Sequence, residues 1–227
     1  AGLPGQFWRG RMASAAVPGI VGMMGSLARL RIDQFVTRHV GPIELAIGAA
    51  ECVCIEGASG SGKTLLLRAI ADLDPHGGEA YLDGASCSSL PAPAWRHSVA
   101  LVLAESQWWS ERVGDHFDQG VDAAWLAQLG LPDSAMSWEI ARCSTGERQR
   151  LALLRTLMQA PGALLLDEPT GNLDDESTQR VEGLLTRYQR QRQAALLWVS
   201  HDAGQIERVA QRRFILDDGQ LAEKLPR

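Results

Sequence analysis

Gly57-Ala58-Ser59-Gly60-Ser61-Gly62-Lys63-Thr64 follows directly on the apolar run Cys52-Val53-Cys54-Ile55 and leads into Leu65-Leu66-Leu67-Arg68-Ala69-Ile70. A strand, a glycine-rich loop closed by Lys-Thr and then a helix make the pattern G-x-x-x-x-G-K-[ST], which cradles a nucleoside triphosphate. Gly57, Gly60 and Gly62 permit positive φ and close approach of the main chain, so successive N–H groups can converge on phosphate oxygens. The following helix adds the partial positive charge of its N-terminus. Lys63 is placed to reach the β and γ phosphates, and Thr64 to offer its hydroxyl to Mg²⁺. Lysine is a marked choice at this position, because the chain contains only two, Lys63 and Lys224. Every residue from Gly57 to Thr64 is therefore a candidate nucleotide contact.

The 227 residues, 45% of them hydrophobic, are enough for one large domain or a core with a small subdomain. Net charge is −5 and the arginines are scattered. No basic stripe points to nucleic acid, and none is expected as a partner. Cys52, Cys54, Cys87 and Cys143 show neither C-x-x-C spacing nor nearby paired histidines, and read as small reduced core residues. Cys52 and Cys54 alternate on a strand and should share a face. Met12 to Ala28 is an uncharged stretch after Arg9 and Arg11, containing Pro18 and slightly short for a membrane span. Residues 1–26 are expected to be a disordered leader or to precede the true start, with Met23 or Met24 as initiators, and the fold to occupy residues 27–227.

Two strand-like alternations, Leu30-Arg31-Ile32 and Ile43-Glu44-Leu45-Ala46-Ile47, predict a small antiparallel layer before the loop, and Glu79 to Gly84 after it reads as a strand closed by Asp-Gly. Val99 to Leu103, Ala163 to Leu166 and Ala195 to Val199 are short, continuously apolar runs of the kind buried on both faces of a parallel sheet. Helices are expected at Glu147 to Ala160, with Leu151, Leu154 and Met158 on one face, and at Ser177 to Gln191. Residues 105–145, rich in tryptophan and with helical periodicity around Phe117 to Leu129, predict a helical subdomain inserted in the core. A terminal hairpin turns at Asp218-Gly219. The fold class is α/β: a P-loop core, an N-terminal antiparallel β layer and a small helical subdomain.

Three further motifs stand in order behind the loop. Leu164-Leu165-Leu166-Asp167-Glu168-Pro169-Thr170 brings two carboxylates to the C-terminal end of a buried strand, where ligands gather in open α/β sheets. Asp167 can serve Mg²⁺, and Glu168 can polarise a water at the γ-phosphate. His201, between Ser200 and Asp202, follows the apolar run Leu196 to Val199 and should emerge at the same edge. Ser144-Thr145-Gly146-Glu147 fits a helix capping box.

Together with the loop, Cys143-Ser144-Thr145-Gly146-Glu147 resembles the LSGGQ signature, Leu164 to Asp174 a Walker B strand with its D-loop, and Ser200-His201-Asp202 a switch histidine. The chain resembles the nucleotide-binding subunit of an ABC transporter over residues 27–221. Its compact middle and Leu197 to Asp202 are similar to the small bacterial FetA-like type assigned to iron export. The resemblance implies an ATPase with ATP and Mg²⁺ at the site, Glu168, His201 and Lys63 as catalytic residues, and Thr64 and Asp167 on the metal. It also implies a second ABC ATPase subunit, a second copy in a homodimer or a homologous partner, whose Ser144 and Gly146 close on the γ-phosphate held across the dimer. Hydrolysis would then drive separate integral-membrane permease subunits from the cytoplasmic face of the membrane.

Four positions depart from the family pattern. Cys143 replaces leucine, Thr145 the first glycine and Glu147 glutamine in the signature, and Ala104 stands where the Q-loop glutamine belongs, with Glu105 and Gln107 nearby. His39 is the nearest candidate for stacking on adenine. Two other classes compete: a degenerate ATP-dependent dimeriser with weak hydrolysis, and a non-transport ABC ATPase acting on DNA or ribosomes. The second would want coiled-coil arms, a tandem cassette or a basic surface, which these residues do not show.

Overall fold

The computed structural model describes residues 28–118 and 120–224, so the expectations for residues 1–26 lie outside the described residues. Two sheets share the core. The first is antiparallel, order β2-β1-β4-β5, built from β1 (Ala28–Val36), β2 (Ile43–Gly48), β4 (Gly77–Leu82) and the short β5 (Ala85–Ser86). Its alternation follows the sequence: Leu30, Ile32, Ile43, Leu45 and Ile47 are buried while Glu44 faces out. The second has order β10-β9-β3-β8-β7-β6, with β3 (Cys52–Glu56), β6 (Val99–Val102), β7 (Ala163–Asp167), β8 (Ala195–Val199) and β9 (Arg212–Asp217) parallel. Only β10 (Gln220–Glu223) runs antiparallel, as the outer arm of the terminal hairpin.

The parallel strands are apolar throughout because each face carries its own cluster. Val53, Ile55, Leu165, Leu197 and Val199 face the antiparallel layer and Leu66, Leu67 and Ile70 of α1 (Lys63–Ile70). Cys52, Cys54, Leu164, Leu166, Leu196 and Trp198 face the opposite way, onto later helices and the insert. Cys52 and Cys54 thus share a face, and all four cysteines are buried and free. Each fully buried leucine of this central sheet is worth about 2–5 kcal/mol against truncation to alanine.

Two helices appear that periodicity did not announce. The first, α2 (Ala92–Ser98), carries Pro93 in its first turn, where a missing N–H costs no helical hydrogen bond. Residues 103–144 form the insert, but its helical content is modest: α3 (Ala123–Gln128) and short 3₁₀ turns at Val113–His116, Asp133–Ser137 and Ile140–Arg142. The Phe117 to Leu129 helix contracts to α3 because the Asp122 carboxylate caps the Ala124 N–H at 2.9 Å and Gly130, at φ +67°, ends the run before Pro132.

α4 (Thr145–Met158) begins two residues earlier than read, since Ser144 is its cap, and Met158 lies at its exposed end. Leu151, Leu153, Leu154 and Leu157 form its buried face. α5 (Asp175–Arg192) is capped by Asp174, whose carboxylate accepts the Ser177 N–H at 2.8 Å. The second unannounced helix, α6 (Ala203–Val209), is capped by Asp202, which accepts from Gly204 and Gln205 at 2.8 and 3.1 Å.

Candidate active site

The parallel order of β3, β8 and β7 brings the ends of three strands to one edge, and each end supplies one part of the site. β3 stops at Glu56 and the chain turns through Gly57 to Gly62 into α1. Glycine is required at two points of this turn. A Cβ at Gly57 would stand 2.4 Å from the Leu216 carbonyl oxygen, and Gly62, at φ +100°, would place one 2.5 Å from a methyl of Val40. No side chain caps α1 and its first turn holds no acidic residue, so its N–H groups face the cleft unneutralised. The Lys63 ammonium is centred over the loop, donating to the carbonyls of Gly57 and Ala58 at 2.8 Å each and to Ser61 Oγ at 3.3 Å.

The end of β7 delivers Asp167, 7% exposed, and the first turn of α1 delivers Thr64. The Thr64 hydroxyl donates to Asp167 Oδ2 at 2.7 Å. Burial pushes the Asp167 carboxyl above its ordinary value, the Glu168 charge adds to this, and Thr64 and Lys63 oppose it. A hydroxyl and a buried carboxylate meeting beside a phosphate cradle are hard oxygen donors, the set Mg²⁺ prefers. The residues present therefore fit that ion.

Glu168 adopts φ +46°, a rare conformation for a residue with a long side chain. Its N–H donates to the Val199 carbonyl at 3.1 Å and its own carbonyl accepts from the Gln149 amide at 3.2 Å. So held, the main chain aims the carboxylate off the strand end toward β8. There His201 Nδ1 lies 3.2 Å from Glu168 Oε1. The histidine ring is well exposed and the carboxylate half-exposed, so both can meet a solvent-borne ligand.

Gly57, Ser59, Gly60, Gly62, Lys63, Thr64, Asp167, Glu168 and His201 line a single cleft of about 320 Å³. Ala58 and Ser61 belong to the same loop through the Ser61 N–H to Ala58 carbonyl bond of 3.2 Å. Three expected residues are elsewhere. His39 is exposed on the β1–β2 loop; its carbonyl passes Gly219, and its side chain does not line the cleft. Ser144 and Gly146 sit at the start of α4, where Ser144 Oγ accepts the Glu147 N–H at 3.2 Å and Glu147 Oε2 accepts the Ser144 N–H at 2.7 Å. The capping box is therefore formed, and Gly146 packs beside Leu173 and Asn172 of the D-loop. Thr145 is exposed, its hydroxyl held by Arg148 at 3.3 Å.

Sequence reading missed the polar scaffold behind the cleft. Gln205, 2% exposed, donates to Thr170 Oγ1 at 2.8 Å and to Glu182 Oε1 at 3.0 Å, while Arg208 grips Glu182 with two nitrogens at 2.9 and 2.8 Å. This network ties the segment after Glu168 and the helix after His201 to α5. The available signal was a glutamine on an apolar stripe: Gln205 shares one with Val209, as Gln149 does with Leu153 and Leu157.

The model of the ABC transporter family matches residues 40–171, well over half of the chain. This chain belongs to the ABC transporter family. Among its relatives, the aliphatic sulfonates import ATP-binding protein SsuB 2 of Frankia alni is 36% identical over 189 residues, covering 81% of this chain and 73% of that one. The probable iron export ATP-binding protein FetA of Escherichia coli is 33% identical over 176 residues, 72% of this chain and 78% of that one. Among solved structures, a bacterial Atm1-family ABC exporter with ATP bound aligns with TM-score 0.76 and 22% identity, over 87% of this chain and 38% of the exporter chain. CbiO1 of Clostridium perfringens, part of the ABC transporter complex cbiONQ, aligns with TM-score 0.72 and 19% identity, over 86% and 87%. The two structural likenesses establish an ABC ATPase fold. As a family member, the chain is an ATP-binding, ATP-hydrolysing ABC transport subunit, energising a membrane permease. Among the described residues no helix is long and apolar enough to cross a membrane.

Proposed function

We propose that Glu168 is the base of an ATP hydrolysis carried out in the cleft between Gly57 to Thr64 and the ends of β7 and β8. The observation that carries this reading is the placing of two pairs across one phosphate cradle: Thr64 with Asp167 at 2.7 Å, and Glu168 with His201 at 3.2 Å. Lys63 and the free N–H groups of α1 hold the β and γ phosphates. Thr64 and Asp167 would hold Mg²⁺, which when bound would neutralise charge developing on the transferred group. Glu168 accepts the proton of the attacking water, and His201 keeps that carboxylate oriented while its ring senses the γ-phosphate. His39, near the P-loop through Val40, is the aromatic offered to adenine.

Ser144 and Gly146 lie outside this cleft and present an exposed helix start. We assign them to the site of a second copy, so that two chains enclose two ATP molecules head to tail. Loss of the γ-phosphate releases that contact and the dimer opens, moving the permease subunits against which the protein sits at the cytoplasmic membrane face. A relative named for sulfonate import and one named for iron export match at similar identity, which supports leaving the choice of substrate and direction to the permease.

One observation favours the weak-hydrolysis reading: Glu105 and Gln107, beside the Ala104 position, are exposed and line no part of the cleft. Steady-state phosphate release with Mg²⁺ decides between the two. The proposal expects turnover in the wild type and loss of about a hundredfold or more in Glu168→Gln, with Lys63→Ala losing ATP binding or turnover. Near-normal ATPase in Lys63→Ala would overturn the assignment, and absence of wild-type turnover even with a permease would favour the dimeriser.

A further inference from the structure

Away from the nucleotide cleft, at the far end of α1, three residues of different chemistry converge. Asp72, His76 and Cys87 each offer a ligand atom, and those atoms lie within 4.8 Å of one another. Asp72 follows α1 at φ +56°, a conformation that aspartate tolerates better than most residues, and this swings its carboxylate toward His76. Asp72 Oδ1 and His76 Nε2 are 3.8 Å apart. Around a tetrahedral zinc ion nitrogen and oxygen ligands stand about 3.3 Å apart and each about 3.5 Å from a thiolate sulfur, so the Asp72–His76 pair must close by about 0.5 Å and the Cys87 sulfur by about 1 Å at most.

The surroundings suit a cation. Phe35 stacks on the His76 ring with centroids 4.5 Å apart, fixing its plane. His76 turns Nε2 toward Asp72, while its Nδ1 is buried without a hydrogen-bond partner on the other side of the ring. The Cys87 side chain is buried in the core beside these groups and makes no disulfide. Glu79, held by Ser88, adds a further negative charge next to His76 and Cys87, and among the described residues Arg96, 3.8 Å from Asp72, is the cation that faces the group.

We propose that Asp72, His76 and Cys87 form a site for a borderline-soft divalent ion of the zinc class. Carboxylate, imidazole and thiolate together select such an ion over Mg²⁺, which takes oxygen donors. Three protein ligands leave a fourth position for water. Binding releases the Cys87 proton to solvent as the sulfur–metal bond forms. The site joins the C-terminal end of the P-loop helix to the antiparallel layer, so occupancy stabilises the packing behind the nucleotide loop without entering it.

Co²⁺ added to the nucleotide-free full chain tests this, because thiolate ligation gives a charge-transfer absorption that the all-oxygen site at Thr64 and Asp167 cannot produce. The wild type is expected to develop that band with one equivalent of Co²⁺, to lose it on addition of Zn²⁺, and to show a higher unfolding temperature with Zn²⁺. Cys87→Ser should abolish the band. Asp72→Asn, which keeps the backbone conformation, and His76→Gln should each weaken Zn²⁺ binding about tenfold or more while leaving ATP binding intact. No thiolate band in the wild type, or a band that survives Cys87→Ser, overturns the proposal. So does a Zn²⁺ affinity unchanged in both Asp72→Asn and His76→Gln.

Discussion

Glu168 Oε1 and His201 Nδ1, carried by two neighbouring parallel strands, stand 3.2 Å apart at the mouth of the phosphate loop. Neither residue reaches that position alone. Glu168 needs its φ of +46° and the two main-chain bonds to Val199 and Gln149, and His201 needs the turn that Asp202 closes by capping α6. The pair is therefore a product of backbone geometry, and its catalytic use depends on that geometry being held. His201→Ala should lower kcat by about a hundredfold while ATP binding stays within a few-fold, since the phosphate contacts of Lys63 and α1 are untouched. A variant with wild-type kcat would remove His201 from the chemistry.

Gln205 holds this geometry from behind. Gln205→Leu breaks its bonds to Thr170 and Glu182 and leaves Thr170 Oγ1 without this donor, a cost of about 1–3 kcal/mol in folding stability. Because the segment after Glu168 and the helix after His201 lose their common tie, kcat should fall more than KM for ATP rises. Gln205→Glu, which keeps the shape but sets a second carboxylate against Glu182, should be worse in both stability and turnover. Calorimetry alongside steady-state kinetics checks both; a stability loss with unchanged kcat would confine Gln205 to a packing role.

Ser144 carries two roles that one substitution separates. Asparagine caps helices as well as serine does, whereas alanine forfeits about 1 kcal/mol. Ser144→Asn should therefore keep the unfolding temperature of the wild type, and Ser144→Ala should lower it slightly. If Ser144 also meets the γ-phosphate of a second copy, the bulkier asparagine should reduce ATPase activity by about tenfold or more despite its intact cap. Full activity in Ser144→Asn would leave only the cap.

Arg68 and Asp74 give a measurable acid response. The Arg68 guanidinium, bonded to both Asp74 oxygens at 2.7 and 2.8 Å, holds that carboxyl below its ordinary value of 3.8. A depressed folded-state value means that the unfolded chain binds the proton first, so the stabilisation is complete above the ordinary value and is lost as pH falls through the folded one. Both side chains are about one-third exposed, and the effect is correspondingly small. Urea midpoints for the wild type and Asp74→Asn should differ at neutral pH and converge in acid. A difference that persists unchanged in acid would contradict the assignment.

Residues near the strands were the legible ones. The apolar runs before Gly57, Asp167 and Ser200 located three strand ends, and parallel pairing alone then brings Lys63, Asp167, Glu168 and His201 to one edge, because side chains at strand ends have little freedom to be elsewhere. The insert was less legible. Its tryptophans and helical period around Phe117 suggested longer helices, but Asp122, Gly130 and Pro132 stop the backbone locally, and tertiary contacts of Val113, Leu126 and Ala135 do the rest. His39 follows β1 in chain order, but the direction of its side chain depends on turn geometry that no periodicity records. Buried glutamines escaped for a related reason: polar residues on an apolar stripe gain meaning only when their partners, distant in sequence, are known.

The most direct measurement is the mass of Glu168→Gln in solution with and without ATP and Mg²⁺, by sedimentation or light scattering. A composite site predicts a monomer without nucleotide and a dimer with it, and predicts that adding Gly146→Arg restores the monomer while ATP binding persists. Glu168→Gln that binds ATP yet stays monomeric, or that dimerises equally well with Gly146→Arg, would contradict the completion of each cleft by the α4 terminus of a second copy.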